Sequence, residues 1–368
     1  MMMLPYIPEN LPIDLSKLNW REVTAKVSEA SAALAYYNGI LKSIINPAIF
    51  LSPLETKEAV LSSRIEGTIT TVDEVLRYEV DIKPDNVRKQ DDIIEVLNYR
   101  KAMRSASQWL GRGLPFNITM ICAIQKELMQ GTRGKDKHPG EIRKEQVWIG
   151  PRNRPIEDAT YIPPEPLGLR ENLENYVSYL NNKDQEALIQ TAIMHAQLEI
   201  IHPFSDGNGR TGRILIPLFL WFRQRISSPM FYISEYFDKN RDEYIQNLGK
   251  ITGEKDWGTW ISFFLTAVMV QAEANSAKAT QVLKLYNSMR EKMVRITKSP
   301  YSIKILDALF TMPILRPFDL SKISGLETKS VRRIIAKLKD EKVLRTIQEH
   351  AGRTPEVLVF NDLYQIIR

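Results

Sequence analysis

The chain has 368 residues, 43% apolar and 26% charged, which supplies enough apolar side chains for buried cores and excludes a disordered chain. At about 100–200 residues per domain, that length holds two or three domains. Its one cysteine, Cys122, excludes an intramolecular disulfide and a cysteine-based zinc site, while a net charge of +6 permits an anionic partner without naming one.

No basic stretch precedes an apolar run in MMMLPYIPEN, so no secretory signal is expected. The most apolar run, Ile214–Phe222, lies between Arg213 and Arg223 and falls short of the ~20 residues a bilayer requires. It reads as a buried helix, and the chain as a cytoplasmic protein with no membrane partner.

In chain order, Asp14–Ile45 reads as one or two helices ending near Asn46-Pro47. Ser52 then supplies an N-cap, Pro53 a first helical position and Glu55 the return half of a capping box, for a helix running through Leu54, Glu58, Leu61 and Ile65. Gly67 is its expected C-terminal cap. Thr71 and Glu74 form a second capping box, and further helices are predicted over Asp85–Leu110 and Ile118–Met129.

His138–Pro166 is rich in proline and glycine around the alternating run Gln146-Val147-Trp148-Ile149, and predicts a hairpin or flap. Helices resume over Leu167–Leu180, Gln185–Ile201, Gly212–Arg225, Arg241–Leu248 and Trp257–Ile296, and a boundary falls at Ser299-Pro300. From Lys298 to Arg368 thirteen Lys and Arg face eight Asp and Glu, so nearly all the excess charge is in the last fifth of the chain.

The informative segment is His202-Pro203-Phe204-Ser205-Asp206-Gly207-Asn208-Gly209-Arg210-Thr211-Gly212-Arg213, between two apolar helices. Two glycines flanking an asparagine let backbone N–H groups turn inward, and the helix N-terminus that follows adds partial positive charge, which makes an anion hole. Arg210 and Arg213, three apart, share a face and suit phosphate oxygens. Asp206 offers a hard oxygen for Mg²⁺, and His202 is the group able to take a proton near neutral pH.

Together these residues describe nucleotidyl or phosphoryl transfer to a hydroxyl. His195, Glu199 and His202 also share a helical face, but a carboxylate-bridged di-iron site needs a second Glu-x-x-His that the chain lacks. His195 and Glu199 are expected to support the loop through hydrogen bonds.

At these residues the chain resembles the Fic family, the filamentation-induced-by-cAMP enzymes, by matching HPFx(D/E)GNGRxxR at every defined position. The resemblance spans about Ile118–Leu265 and implies a mainly α fold: a Fic helical core with a small β-hairpin flap. The segment before it resembles the family's N-terminal extension.

It implies protein adenylylation from ATP, with His202 as general base, Asp206 holding Mg²⁺, Gly207, Asn208 and Gly209 cradling phosphate and Arg210 facing the leaving pyrophosphate. Phe204 is implied as the core anchor of the loop; Ser205, Thr211 and Arg213 complete the nucleotide-binding segment. Gly209 before Arg210 resembles AMP transferases, whereas Doc-type kinases bear lysine there.

Gly140, Ile142, Arg143, Val147 and Ile149 resemble the target-aligning flap, with Val147 beside the nucleotide. Arg241-Asp242-Glu243-Tyr244 resembles the wall of the adenine pocket, although a buried core tyrosine reads equally well at 244. Ser62-Ser63-Arg64-Ile65-Glu66-Gly67 resembles the inhibitory motif (S/T)xxxE(G/N), with Ser62 and Glu66 facing the same way and Glu66 implied to pair with Arg213. Homodimers and self-modification are implied as well.

Two rivals stand beside this reading: removal of AMP from a modified protein, and a nucleotide-sensing DNA-binding regulator. The second rests on Tyr301–Phe310, Asp319–Ser324 and Thr328–Asp340, three short helices with a turn at Ser324-Gly325, followed by an alternating Val343–Phe360 with Gly352 at its tip. This resembles a winged helix-turn-helix with Lys329, Arg332, Arg333, Lys337 and Lys339 on or near the third helix, which could contact DNA or dock a protein. The expected domains are 1–115, with an inhibitory helix at about 52–67, then 116–298 and 299–368.

Overall fold

Helix punctuation sets most of the architecture. The structure, a computed structural model, describes residues 4–44, 47–131, 137–151, 154–183, 185–352 and 354–368. Helix α1 (Trp20–Ser43) starts after Asn19, whose side chain accepts from the Glu22 N–H, and not at Asp14. Asp14 instead accepts the Ser16 N–H at 2.9 Å, a local turn that competes with helix.

Helix α2 (Pro47–Ile65) contains Pro53, so Ser52 is interior and not the expected N-cap. Proline suits the first helical position at 47 as well as at 53, and Glu55 reaches Arg104 at 3.1 Å instead of closing a capping box. Asn46, part of the expected boundary, lies outside the described residues. Gly67, at φ 98°, follows the helix, with its N–H on the Arg64 carbonyl. Helix α3 (Val72–Tyr78) opens with both halves of the Thr71–Glu74 capping box. Helices α4 (Val87–Gly111) and α5 (Ile118–Leu128) follow.

Among the described residues the expected hairpin is reduced to one antiparallel bridge, Ile149 with Tyr161, and two 3₁₀ turns at Ile156–Asp158 and Pro166–Gly168. Pro151, Pro155, Pro163 and Pro164 cannot donate to a ladder, and this confines the pairing. Next come α6 (Leu169–Asn181), α7 (Ala187–Ile201), α8 (Asn208–Phe222), the unforeseen α9 (Ser234–Lys239), α10 (Arg241–Glu254) and the 41-residue α11 (Trp257–Thr297). Helix α8 begins four residues before the expected Gly212, so the second half of the glycine-rich segment is already helical.

Helix α7 is buried along nearly its whole length, between α6, α8, α10 and α11, and Trp260 Nε1 of α11 donates to the Ala192 carbonyl at 2.8 Å. Helix α1 lies along α11. The end of the chain forms α12 (Ser302–Thr311), β1 (Ile314–Leu315), α13 (Pro317–Ser324), α14 (Thr328–Asp340), β2 (Leu344–Gln348), β3 (Val357–Phe360) and α15 (Asn361–Ile367).

The three strands form an antiparallel sheet in the order β1-β3-β2, with Ile314 opposite Val359 and Leu344 opposite Phe360. This module packs on α2 and on the far end of α11. Tyr364 donates to Asp73 at 2.7 Å and Arg316 pairs with Asp81. Among the described residues no helix is long and apolar enough to cross a membrane.

Candidate functional site

Helix α7 ends at His202, which takes the left-handed conformation (φ 48°) and caps the helix through its N–H to Leu198 O. A non-glycine residue there is strained, and such strain is held only where the surroundings over-determine it. Arg143 does much of that work: its backbone N–H bonds Pro203 O at 2.9 Å and its Nε bonds His202 O at 2.9 Å. The other guanidinium nitrogens reach Glu145 O and Pro164 O at 3.0 and 2.6 Å. Burial pushes this guanidinium down to about 10. Arg143 is therefore a staple between flap and loop.

The His202 ring places Nδ1 3.2 Å from the Glu199 carbonyl. With the proton assigned to Nδ1, Nε2 is left as the acceptor, the form a general base needs. Burial of the ring, against a smaller opposing effect of that carbonyl, pushes its pKa down to about 4.

Below the histidine, Phe204 is buried in the core. Asn208 ties the loop shut through Phe204 N to Asn208 Oδ1 (2.9 Å) and Asn208 Nδ2 to Phe204 O (2.8 Å), so its side chain is committed to shaping the loop. Gly207 takes φ 80° and donates to Asp206 Oδ1 at 2.6 Å. The first turn of α8 then turns N–H groups without helical acceptors toward the loop. Thr211 is buried with its hydroxyl on Gly207 O at 2.8 Å, which takes it out of the nucleotide-facing set. Ser205 is half-buried on the loop.

Both motif arginines are buried and held by carboxylates from the N-terminal region. Arg213 Nε donates to Ser62 Oγ at 2.8 Å, and its NH2 to Ser62 O at 3.0 Å and Glu66 Oε1 at 2.6 Å. A Cβ on Gly209 would collide with the Glu66 carboxylate, so that carboxylate rests directly against the cradle. Burial disfavours its ionised form, but Arg213 outweighs this, with Arg210 and His202 adding, and Glu66 is held below the usual carboxylate range. Arg210 NH1 donates to Glu95 Oε2 of α4 at 2.8 Å.

The flap residues surround this centre. Gly140 donates to Gln125 Oε1 at 2.5 Å, while Gln125 Nε2 donates to Asp206 O at 2.9 Å, so one buried α5 side chain joins the flap base to the loop. Ile142 packs on the core, Val147 is half-buried, and Ile149 is exposed beside Trp148.

Tyr244 is buried, with its hydroxyl 2.9 Å from His195 Nε2 and its ring 4.7 Å from that of Phe237. This puts it in the core behind the site, not open to a base. Glu199 is half-buried with Oε1 turned inward, and burial raises its pKa to about 7. Its Oε1 and His195 Nδ1 have no hydrogen-bond partner; the pair supports the loop through the Glu199 carbonyl on His202 Nδ1, while His195 Nε2 bonds Tyr244 behind it. No group of three or more His, Cys, Asp or Glu able to hold a metal occurs among the described residues.

Sequence reasoning missed Gln125 and Glu95. The signal for Glu95 was available: Asp92, Glu95, Val96 and Tyr99 fall on one buried face of α4, and charges on an apolar stripe need partners. On the C-terminal module, Lys337 Nζ is committed to Thr297 O at 3.0 Å and Lys339 to Glu356 at 2.7 Å, which leaves Lys329, Arg332 and Arg333 as the exposed basic groups of α14.

A helical core in which a glycine-rich loop joins two apolar helices, beside a histidine and two arginines held by carboxylates, is the arrangement of a Fic-type protein. The Fic/DOC family N-terminal pattern matches residues 24–108 and the Fic/DOC family pattern residues 115–220, together more than half of the chain. The chain belongs to the Fic/DOC family.

A probable protein adenylyltransferase of Aquifex aeolicus is 23% identical over 310 residues, 82% of this chain and 85% of that protein. A uridine 5'-monophosphate transferase of Xanthomonas campestris is 28% identical over 140 residues, 36% of this chain and 25% of that protein. The crystal structure of a Fic family protein from Desulfovibrio desulfuricans, 18% identical, matches 97% of this chain and 98% of its own with a TM-score of 0.60, which shows the shared fold.

Proposed function

We propose that this protein transfers AMP from ATP to a Ser, Thr or Tyr hydroxyl of a protein, itself included, and that Glu66 restrains the reaction. The observation that carries this is the Glu66 carboxylate lying against Gly209 and paired with Arg213 at 2.6 Å. An anion already sits where the loop and helix terminus would take phosphate.

In the reaction, His202 Nε2 accepts the hydroxyl proton, the oxygen bonds the α-phosphorus, and the bond to the β-phosphate oxygen breaks to release pyrophosphate. Arg210 faces the charge that develops on the leaving group. Asp206 fits Mg²⁺: its carboxylate is partly exposed, and one hard oxygen ligand suits a cation that keeps its waters and takes the rest from phosphates. When bound, the ion neutralises phosphate charge.

An arginine held by Glu66 cannot also clamp phosphate, so bound ATP is not aligned for in-line attack. The Xanthomonas relative is named for UMP transfer, so the four nucleoside triphosphates belong in the test.

Label transfer from α-labelled and γ-labelled nucleotide, measured for the parent, Glu66→Gly and Glu66→Gly/His202→Ala, tests the reading. Glu66→Gly is expected to raise α-label incorporation by about tenfold or more, a change of ~1.4 kcal/mol in barrier, and His202→Ala to abolish it. Equal parent and Glu66→Gly rates would overturn the restraint, and γ-label would overturn nucleotidyl transfer. Release of AMP from a modified protein would establish the reverse activity.

A further inference from the structure

The two motif arginines are clamped from the same side by carboxylates of very different setting. Glu66 directly follows Ile65, the last residue of α2, in the turn that Gly67 completes at φ 98°, and its side chain is 38% exposed. Glu95 is in the third turn of the 25-residue α4, its side chain is 6% exposed and that of Arg210 4%. The first carboxylate can leave by fraying one helix end. The second can leave only by dragging a charge through a packed interface, which strands Arg210 uncompensated.

Arg210 has a competing partner. Its NH2 is 3.6 Å from Asp206 Oδ1, and Asp206 must keep an oxygen free for its own task. The remaining contact of the guanidinium is soft, NH2 to Met129 Sδ at 3.6 Å. Without the Glu95 charge the nearest anion for Arg210 is Asp206, four residues earlier on the same loop.

Helix α4 also fixes the chain beyond Gly67, because Asp92 Oδ2, one turn before Glu95, accepts the Ile69 N–H at 2.8 Å. The α4 surface therefore stays in place while the end of α2 moves.

We infer that Glu95 is a positioning residue that keeps Arg210 aimed at the leaving phosphates and off Asp206, in the restrained and the active state alike. This rests on the transfer reaction proposed above for what Arg210 does, but the geometry of the pair stands without it. The two carboxylates thus have opposite signs of effect: loss of Glu66 activates, loss of Glu95 disables.

The test uses the full chain. In a Glu66→Gly background, Glu95→Gln should lower the AMP-transfer rate by about tenfold or more, mainly in kcat, and Glu95→Asp should recover part of it. In Glu66→Gly/His202→Ala, with EDTA present, Glu95→Gln should weaken ATP and ADP binding by about tenfold and leave AMP binding nearly unchanged, because Arg210 faces the phosphates beyond the first.

A rate raised by Glu95→Gln would make Glu95 a second brake, and equal losses for ATP, ADP and AMP would make it merely structural; either overturns the inference. Should Glu95→Gln not fold, as judged by its melting curve, Glu95→Asp carries the same affinity comparison at smaller amplitude. If Glu66→Gly transfers no label, the functional reading has failed, and the three nucleotide affinities still decide Glu95.

Discussion

The anion loop and the flap meet at His202 but are built on opposite principles. The loop is a junction of two regular helices, and its turns are made by its own residues: His202 at φ 48°, Gly207 at φ 80°, Asn208 bonded twice to Phe204. Among the described residues the flap has a single backbone bridge and is held by side chains, its own Arg143 reaching four carbonyl groups in all and Gln125 of α5 meeting its base. The turns of the first are written in its own residues, and the second depends on side-chain bonds to carbonyls as far as 59 positions away.

Arg143→Ala is the strongest way to break that contrast. It leaves buried carbonyls without donors, including that of His202, at ~1–3 kcal/mol for each group that water does not reach. The flap then opens locally, and the histidine loses the contact that fixes its strained backbone. The expected result, in the Glu66→Gly background, is a fall in AMP transfer on the order of a hundredfold, with faster amide exchange over residues 140–164 and little change in the core helices. Unchanged exchange in the flap would show that it holds itself.

Gln125→Leu cuts a second side chain that touches both regions, this one from α5, and fills nearly the same volume. Asp206 O and Gly140 N lose their partners, at about 2 kcal/mol together if solvent repairs part of the loss. Transfer should fall by about tenfold, with a raised nucleotide KM if Asp206 shifts, or with unchanged KM and weaker labelling of protein targets if only the flap shifts. The split in KM identifies which region Gln125 serves.

The same division explains what the residues alone disclosed. The twelve-residue loop, the Thr71–Glu74 cap and Gly67 were legible because each depends on neighbours within a few positions. The pairing of Glu66 with Arg213 was available only through family likeness, since 147 residues separate the partners. Glu95 with Arg210, at a separation of 115, left only the trace of charges on an apolar helical face.

Two errors came from local rules with more than one solution. Pro47 and Pro53 both fit a first helical turn, and the helix took the earlier one. The Gln146–Ile149 alternation looked like a strand, but the prolines around it allow only one bridge.

The smallest expected effect concerns protons. His202 is pushed down to about 4, chiefly by burial, with Arg143 adding to the depression and Glu66 and Asp206 opposing it. Its base form therefore persists through pH 5–6, where an ordinary histidine at ~6.5 would be charged. In Glu66→Gly one opposing charge is gone, so kcat/KM should stay level from pH 7 to about 5 and decline only below. An acid limb near 6.5 would show that the ring is solvated in the free enzyme.

Stability carries the matching sign. Between the unfolded value and about 4 the unfolded chain binds the extra proton, so the contribution of His202 is present above ~6.5 and lost as pH falls. Glu58 and Glu199, both raised to about 7 by burial, act oppositely: their contribution is present below ~4.5 and lost as pH rises through 7. Burial likewise pushes His195 down to about 3, so two histidine slopes oppose two glutamate slopes and the parent should change little between pH 5 and 6. His202→Ala removes one histidine slope, so its melting temperature should gain on the parent's as pH drops from 6.5 to 5, and a constant difference would place the proton affinity of His202 at its unfolded value.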